Sequence, residues 1–153
     1  MARDFWGFKD YRDLEKSTKD MPDTILKEQI TLLGEKTNFT IYGKPVFIKV
    51  KSEEIEYKVA TIFNIVVPAL DNYEKTILIM YSNPETEYPV GITLESSFEE
   101  DCEMFIPKYT CNDKESFEAA IKEILSSEQV MKVIQMLYSK AAMLSNQHGD
   151  FDI

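Results

Sequence analysis

The stretch VFIKVKSEEIEYKVATIFNIVVPALDNYEKTILIMYS, residues 46–82, decides the fold. Its apolar side chains recur with a period of two, the spacing that places alternate residues on one face of a strand. Val46, Ile48 and Val50 alternate with Phe47, Lys49 and Lys51; Tyr57, Val59, Phe63, Ile65 and Val67 then share a face of the next run. Ile77, Ile79 and Tyr81 continue the pattern, and beyond the stretch so do Val90, Ile92 and Leu94. Turn formers punctuate the runs at Gly43–Pro45, Ser52–Glu54, Asp71–Asn72 and Asn83–Pro89. The reading is a meander of four strands over residues 39–94. Cys102–Tyr109 is expected to add a fifth, which Pro107 would confine to an edge.

Helical periodicity flanks this core. After Pro22 the spacing predicts a helix over Asp23–Lys36, capped by Asp20 or Asp23, with Ile25, Leu26, Ile30, Leu32 and Leu33 facing inward. Asn112 and Glu115 have capping-box spacing ahead of a stripe of Phe117, Ala120, Ile121 and Ile124. Ser126 or Ser127 then caps a second helix reaching about Leu144, with Val130, Val133, Ile134, Leu137, Ala141 and Leu144 inward and Met131, Tyr138 and Ala142 at the shoulder. Strands followed by strands, with helices at both ends, make the class α+β: a mainly antiparallel four- or five-stranded meander sheet, one N-terminal helix and two C-terminal helices on one face.

The chain's 153 residues suit a single domain over 1–153, and a 44% hydrophobic content gives it a core. Residues 1–12 read as an aromatic arm carrying Phe5, Trp6, Phe8 and Tyr11, with a short helix running on to Lys16; residues 146–153 read as a disordered tail. No signal-peptide core or membrane span can be placed in the opening residues, and the apolar run from Val59 to Leu70 is interrupted by Thr61, Asn64 and Pro68. The expected compartment is the cytoplasm. Cys102 and Cys111 fit neither a disulfide framework nor a metal pair, so both are read as reduced thiols.

Net charge is −10 and unevenly spread: residues 1–58 hold 11 Lys/Arg and 11 Asp/Glu, leaving 6 against 16 for the rest. Such a surface repels phosphate backbones and anionic lipid, which argues against nucleic acid or membrane as partners and for a basic protein. The acidic positions Glu95, Glu99, Glu100, Asp101 and Glu103 are the expected contacts. They lack the turn that converges oxygens on a cation, so no metal is assigned. The one histidine, His148, lies in the tail, which removes histidine-based triads and zinc sites. Cys102 sits between Asp101 and Glu103, which would raise its pKa, and Cys111 reads as a small buried side chain. The five glycines are isolated, so no phosphate loop or dinucleotide fingerprint exists and no cofactor is assigned.

What remains is apolar surface. If one sheet face is covered by helices, Phe47, Ile62, Val66, Leu78 and Met80 fall on the other and need cover, which Phe5, Trp6 and Phe8 are expected to give within the subunit in preference to reaching a neighbour. Met136 and Met143 project from the last helix away from its core side, where methionines make adaptable contacts. The expected role is therefore a non-catalytic, homodimeric interaction, adaptor or chaperone-like protein, its partner-binding residues being Trp6, Phe8, Met136, Met143 and the acidic run. The chain is similar to secretion chaperones and toxin-neutralising immunity proteins in size and charge only. The alternatives are a small enzyme using Tyr57, Tyr81, Tyr88 or Asp71, an immunity-type inhibitor of a basic toxin, and an acidic mimic of nucleic acid.

Overall fold

The computed structural model of the chain describes residues 2–94 and 107–146. Two helices open it, α1 (Tyr11–Thr18) and α2 (Pro22–Lys36). Five strands follow, β1 (Tyr42–Lys49), β2 (Val59–Val67), β3 (Tyr73–Ser82), β4 (Val90–Thr93) and β5 (Tyr109–Cys111), and then α3 (Lys114–Leu125) and α4 (Glu128–Asn146). The strands pair antiparallel in the order β1-β2-β3-β4-β5, a plain meander with β1 and β5 outermost. The fold is α+β, as the change of period implied.

Helix starts follow local chemistry, shifted by a residue from the expected positions at α2 and α3 and as expected at α4. Pro22 opens α2 with Met21 in the N-cap position and no side-chain cap, so neither Asp20 nor Asp23 serves there. The capping box of α3 is built by Asp113 and Ser116: Ser116 N–H donates to Asp113 Oδ1 at 2.8 Å, and Asp113 N–H donates to Ser116 Oγ at 3.3 Å. At α4, Val130 N–H donates to Ser127 Oγ at 3.3 Å. The fifth strand holds three residues and begins at Tyr109; most of the predicted Cys102–Tyr109 stretch lies outside the described residues.

The main correction concerns which strand residues share a face. Phe63 pairs with Leu78 but Asn64 pairs with Thr76, so Ile77 is an extra residue, a β-bulge in β3. Directly paired residues point the same way. After the bulge, Leu78 and Met80 therefore join Phe63 beneath the helices, both at 0% exposure, while Ile79 and Tyr81 turn to the opposite face. β1 is inverted relative to expectation as well: Val46 and Ile48 pair with Ile62 and Ala60, on the side away from Phe63. The helix-side core joins Phe63, Ile65 and Val67 with Leu78, Met80 and Ile92, closed by Leu26, Phe117 and Ala141 from above. Each fully buried side chain of this size contributes about 1.5–3 kcal/mol.

The second face needs no second chain. Its apolar half, Ala60, Ile79 and Tyr81, is covered by Val50, Ile55 and Tyr57 of the β1–β2 connection, with Ile48 and Ile62 packed alongside. Pro107 closes the β4 end, where a Cβ on Gly91 would lie 3.0 Å from Pro107 Cβ and 3.2 Å from Tyr57 Cε2. The other half is polar: Thr76 Oγ1 donates to Asn64 Oδ1 at 2.7 Å, Asn64 Nδ2 to Glu74 Oε1 at 3.4 Å, and Lys44 Nζ reaches Glu74 Oε2 at 3.4 Å.

Candidate interaction surfaces

The aromatic arm covers nothing. Phe5 and Trp6 are 86% and 78% exposed and Phe8 37%, against the expectation that they fold back over the second sheet face. The apolar half of that face is already covered by Val50, Ile55 and Tyr57, which leaves the arm little to cover there. Trp6 and Phe8 instead pack on each other, ring centroids 6.1 Å apart. α1 continues the arm without a single buried residue, and Tyr11 and Leu14 stand out from it. Its order comes from its own end: Arg12 N–H donates to Asp10 Oδ1 at 2.9 Å, and Arg12 Nη2 reaches Asp10 Oδ2 at 2.7 Å. Those bonds hold the Asp10 carboxyl below its ordinary pKa. An ion pair at 3.0 Å between Asp20 and Lys114 ties the α1–α2 connection to the start of α3.

Met136 and Met143 are exposed, as their wheel positions implied. Met131, Tyr138 and Leu144 are exposed too, although the first two were placed at the shoulder of the core and Leu144 within it. α4 rests mainly on the Pro68–Leu70 turn and on α3, which bury Ala141 fully and Val130, Val133, Ile134 and Leu137 in part. Met136 also lines an open groove of about 840 Å³, together with Tyr73, Ile77, Tyr109, Lys132 and Val133. Carboxylates of Glu74 and Glu123 and ammonium groups of Lys75 and Lys108 border it. Burial first, and the Glu123 carboxylate second, push the Tyr109 hydroxyl up. The groove thus offers apolar floor and hydrogen-bonding rim without one sign of charge.

The residues named for an enzymatic role do not converge. Tyr57 and Tyr81 lie on the loop-covered face, their rings 6.3 Å apart, whereas Tyr88 packs against the helix-side core. Asp71 is exposed in the turn after Pro68–Leu70, with φ at 58°. Burial, helped by the Glu87 carboxylate, pushes the Tyr88 hydroxyl up to about 12, away from proton exchange at neutral pH. Cys111 is 1% exposed; its Sγ donates to Ser116 O at 3.7 Å, and burial followed by Asp113 raises its pKa. A thiol so placed is a core side chain rather than a nucleophile. Among the described residues no group of three or more His, Cys, Asp or Glu could hold a metal, and no helix is long and apolar enough to cross a membrane. The acidic positions Glu95, Glu99, Glu100, Asp101 and Glu103, together with Cys102 and His148, lie outside the described residues.

Sequence reasoning missed Phe39 and Tyr42, exposed at 58% and 41%, while Phe47, expected among the residues in need of cover, is exposed at 67%. A signal was present, since all three fall within or just before the first strand, and an outermost strand has one open side.

The class these features define is an α+β domain, a five-stranded antiparallel meander under three helices with an exposed N-terminal arm. No protein family, no curated protein and no solved structure matches this chain.

Proposed function

We propose that the chain is a non-catalytic, cytoplasmic protein-interaction domain that associates through its aromatic arm and the outer face of α4, two copies forming a homodimer. The observation that carries this reading is α1. A helix of eight residues is marginal in water unless something packs on it, and no residue of α1 is buried. Its apolar side chains and those of the preceding arm are large, rigid and exposed, the type that anchors interfaces. The exposed methionines of α4 offer a matching surface that adapts to an incoming ring. Arm exchange between identical copies satisfies both at once and closes on itself. The count of two cysteines, too few for a disulfide framework, supports a reducing compartment. For a basic partner, the support is the net charge of −10 and its concentration after residue 58.

The test is the mass in solution by light scattering, over a range of concentrations, for the natural chain and for Trp6→Ser with Phe5→Ser. The reading expects twice the chain mass for the natural protein and a single chain for the double variant. A natural protein that stays at one chain mass at every concentration would refute it.

A further inference from the structure

The outer edge of β1 carries a second surface of different chemistry. Residues 36–52 hold Lys36, Lys44, Lys49 and Lys51 and no Asp or Glu, in a chain whose net charge is −10. All four lysines are exposed, Lys44 within reach of Glu74 at 3.4 Å. The exposed rings of Phe39, Tyr42 and Phe47 lie along the same stretch, Tyr42 with Lys44 on one face of β1 and Phe47 with Lys49 on the other. Lysine and proline on an outermost strand protect it against unwanted pairing, which accounts for the lysines and for Pro45. Protection does not account for the rings, which enlarge the apolar surface a protected edge should shed.

Phe39 is also held out at a cost. Its φ of 60° lies in the left-handed region, which disfavours a side chain with a Cβ. The surrounding bonds enforce it: Phe39 N–H donates to Gly34 O at 2.7 Å, Thr37 Oγ1 donates to Leu33 O at 2.9 Å, and Ile41 N–H donates to Thr37 Oγ1 at 3.1 Å. Ile41 beyond it is fully buried. The result places the Phe39 ring 6.2 Å from that of Tyr42. Strain kept in place by its neighbours is the pattern of functional sites.

We infer that the outer edge of β1 docks an extended acidic polypeptide segment, its carboxylates meeting the lysines and its apolar side chains meeting Phe39, Tyr42 and Phe47. Charge complementarity selects the occupant: Lys36, Lys49 and Lys51 make no ion pair among the described residues, Lys44 alone lying near an acid, Glu74, so opposite charge meeting them is favoured. A phosphate backbone has the charge but no side chains to fill the spaces between rings. Pro45 denies a donor in mid-strand, so side chains rather than a full ladder of backbone bonds hold the segment.

Fluorescence anisotropy of a labelled peptide repeating two valines and two glutamates, which presents both residue types on each face of the edge, with oligothymidylate as the competing probe, tests this on the full chain. The peptide is expected to bind, more weakly as salt is raised. Phe47→Ser, and separately Lys49→Glu with Lys51→Glu, should each weaken it about tenfold or more, equivalent to about 1.4 kcal/mol, with unchanged circular dichroism. Lys122→Glu on α3 should leave it unaltered. Absence of peptide binding, equal loss with Lys122→Glu, or tighter binding of oligothymidylate than of peptide overturns the inference. Because none of these positions lies on the arm or on α4, the outcome is independent of the dimer.

Discussion

The backbone of Gly43 in β1 lies directly under Ile30 of α2: a Cβ at Gly43 would sit 2.7 Å from Ile30 Cγ2 and 2.9 Å from the Ile30 carbonyl oxygen. The oxygen belongs to a helix backbone and cannot swing aside, so α2 reaches the sheet only because this position has no side chain. Gly43→Ala should therefore force α2 outward and cost about 1–3 kcal/mol, as overpacking does. Urea unfolding monitored by circular dichroism checks it. A midpoint equal to that of the natural chain would show that the helix is not seated on this glycine.

Thr61 tests the core from the opposite side. It is 4% exposed on the helix-side face of β2, and its hydroxyl finds no hydrogen-bond partner among the described residues. Thr61→Val keeps the shape and removes a desolvated hydroxyl, so it should raise stability by up to about 1 kcal/mol. A clear loss of stability in the same urea assay would mean that the hydroxyl is satisfied in solution.

The capping box of α3 makes stability depend on pH. Backbone and side-chain bonds from Ser116 hold Asp113 below its ordinary value of 3.8. A depressed folded-state pKa contributes stability that is complete above the unfolded value and is lost as pH falls through the folded one. Asp113→Ala should lower the thermal midpoint at neutral pH and flatten the midpoint's fall below about pH 4, while Asp113→Asn, which keeps an acceptor oxygen, should lose less. Thermal melts across the acid range decide it, and a variant with an unaltered acid profile would count against this role for Asp113.

Cys111 gives a reading of local opening. In a Cys102→Ala background, the remaining thiol is buried and its pKa raised, so a disulfide reagent should modify it at the rate of unfolding rather than at that of a free thiol. Rapid modification of the folded protein would place Cys111 at the surface.

Much of the fold was legible in the sequence because period is a strong signal and turn residues set its limits. The change from helical spacing before Lys36 to alternation after Phe39, and back again at Asp113, located every described helix and strand to within a few residues, β5 excepted. Facing was not legible in the same way. A single extra residue at Ile77 inverts every side chain of β3 beyond it, and alternation alone does not reveal a bulge. That one residue moves Leu78 and Met80 from a presumed bare face into the core, so the apolar surplus on the sheet shrinks to its outer strand, where Phe47 stays exposed, while the surplus on the arm and α4 remains. The interaction surfaces were half visible. Trp6, Phe8, Met136 and Met143 stood out by type and spacing, whereas the groove beside Met136 is formed by residues from distant parts of the chain, from Tyr73 to Tyr109, that only folding brings together.

Trp6 is the chain's single tryptophan and lies in the arm itself, so its emission reports the central claim without a label. Emission maximum and iodide quenching, followed as protein concentration rises, form the most direct measurement. The account predicts a water-exposed indole at high dilution that shifts to the blue and becomes shielded as copies associate, and Met136→Glu with Met143→Glu should abolish the change. An emission spectrum and quenching constant that stay those of an exposed indole at every concentration would contradict it.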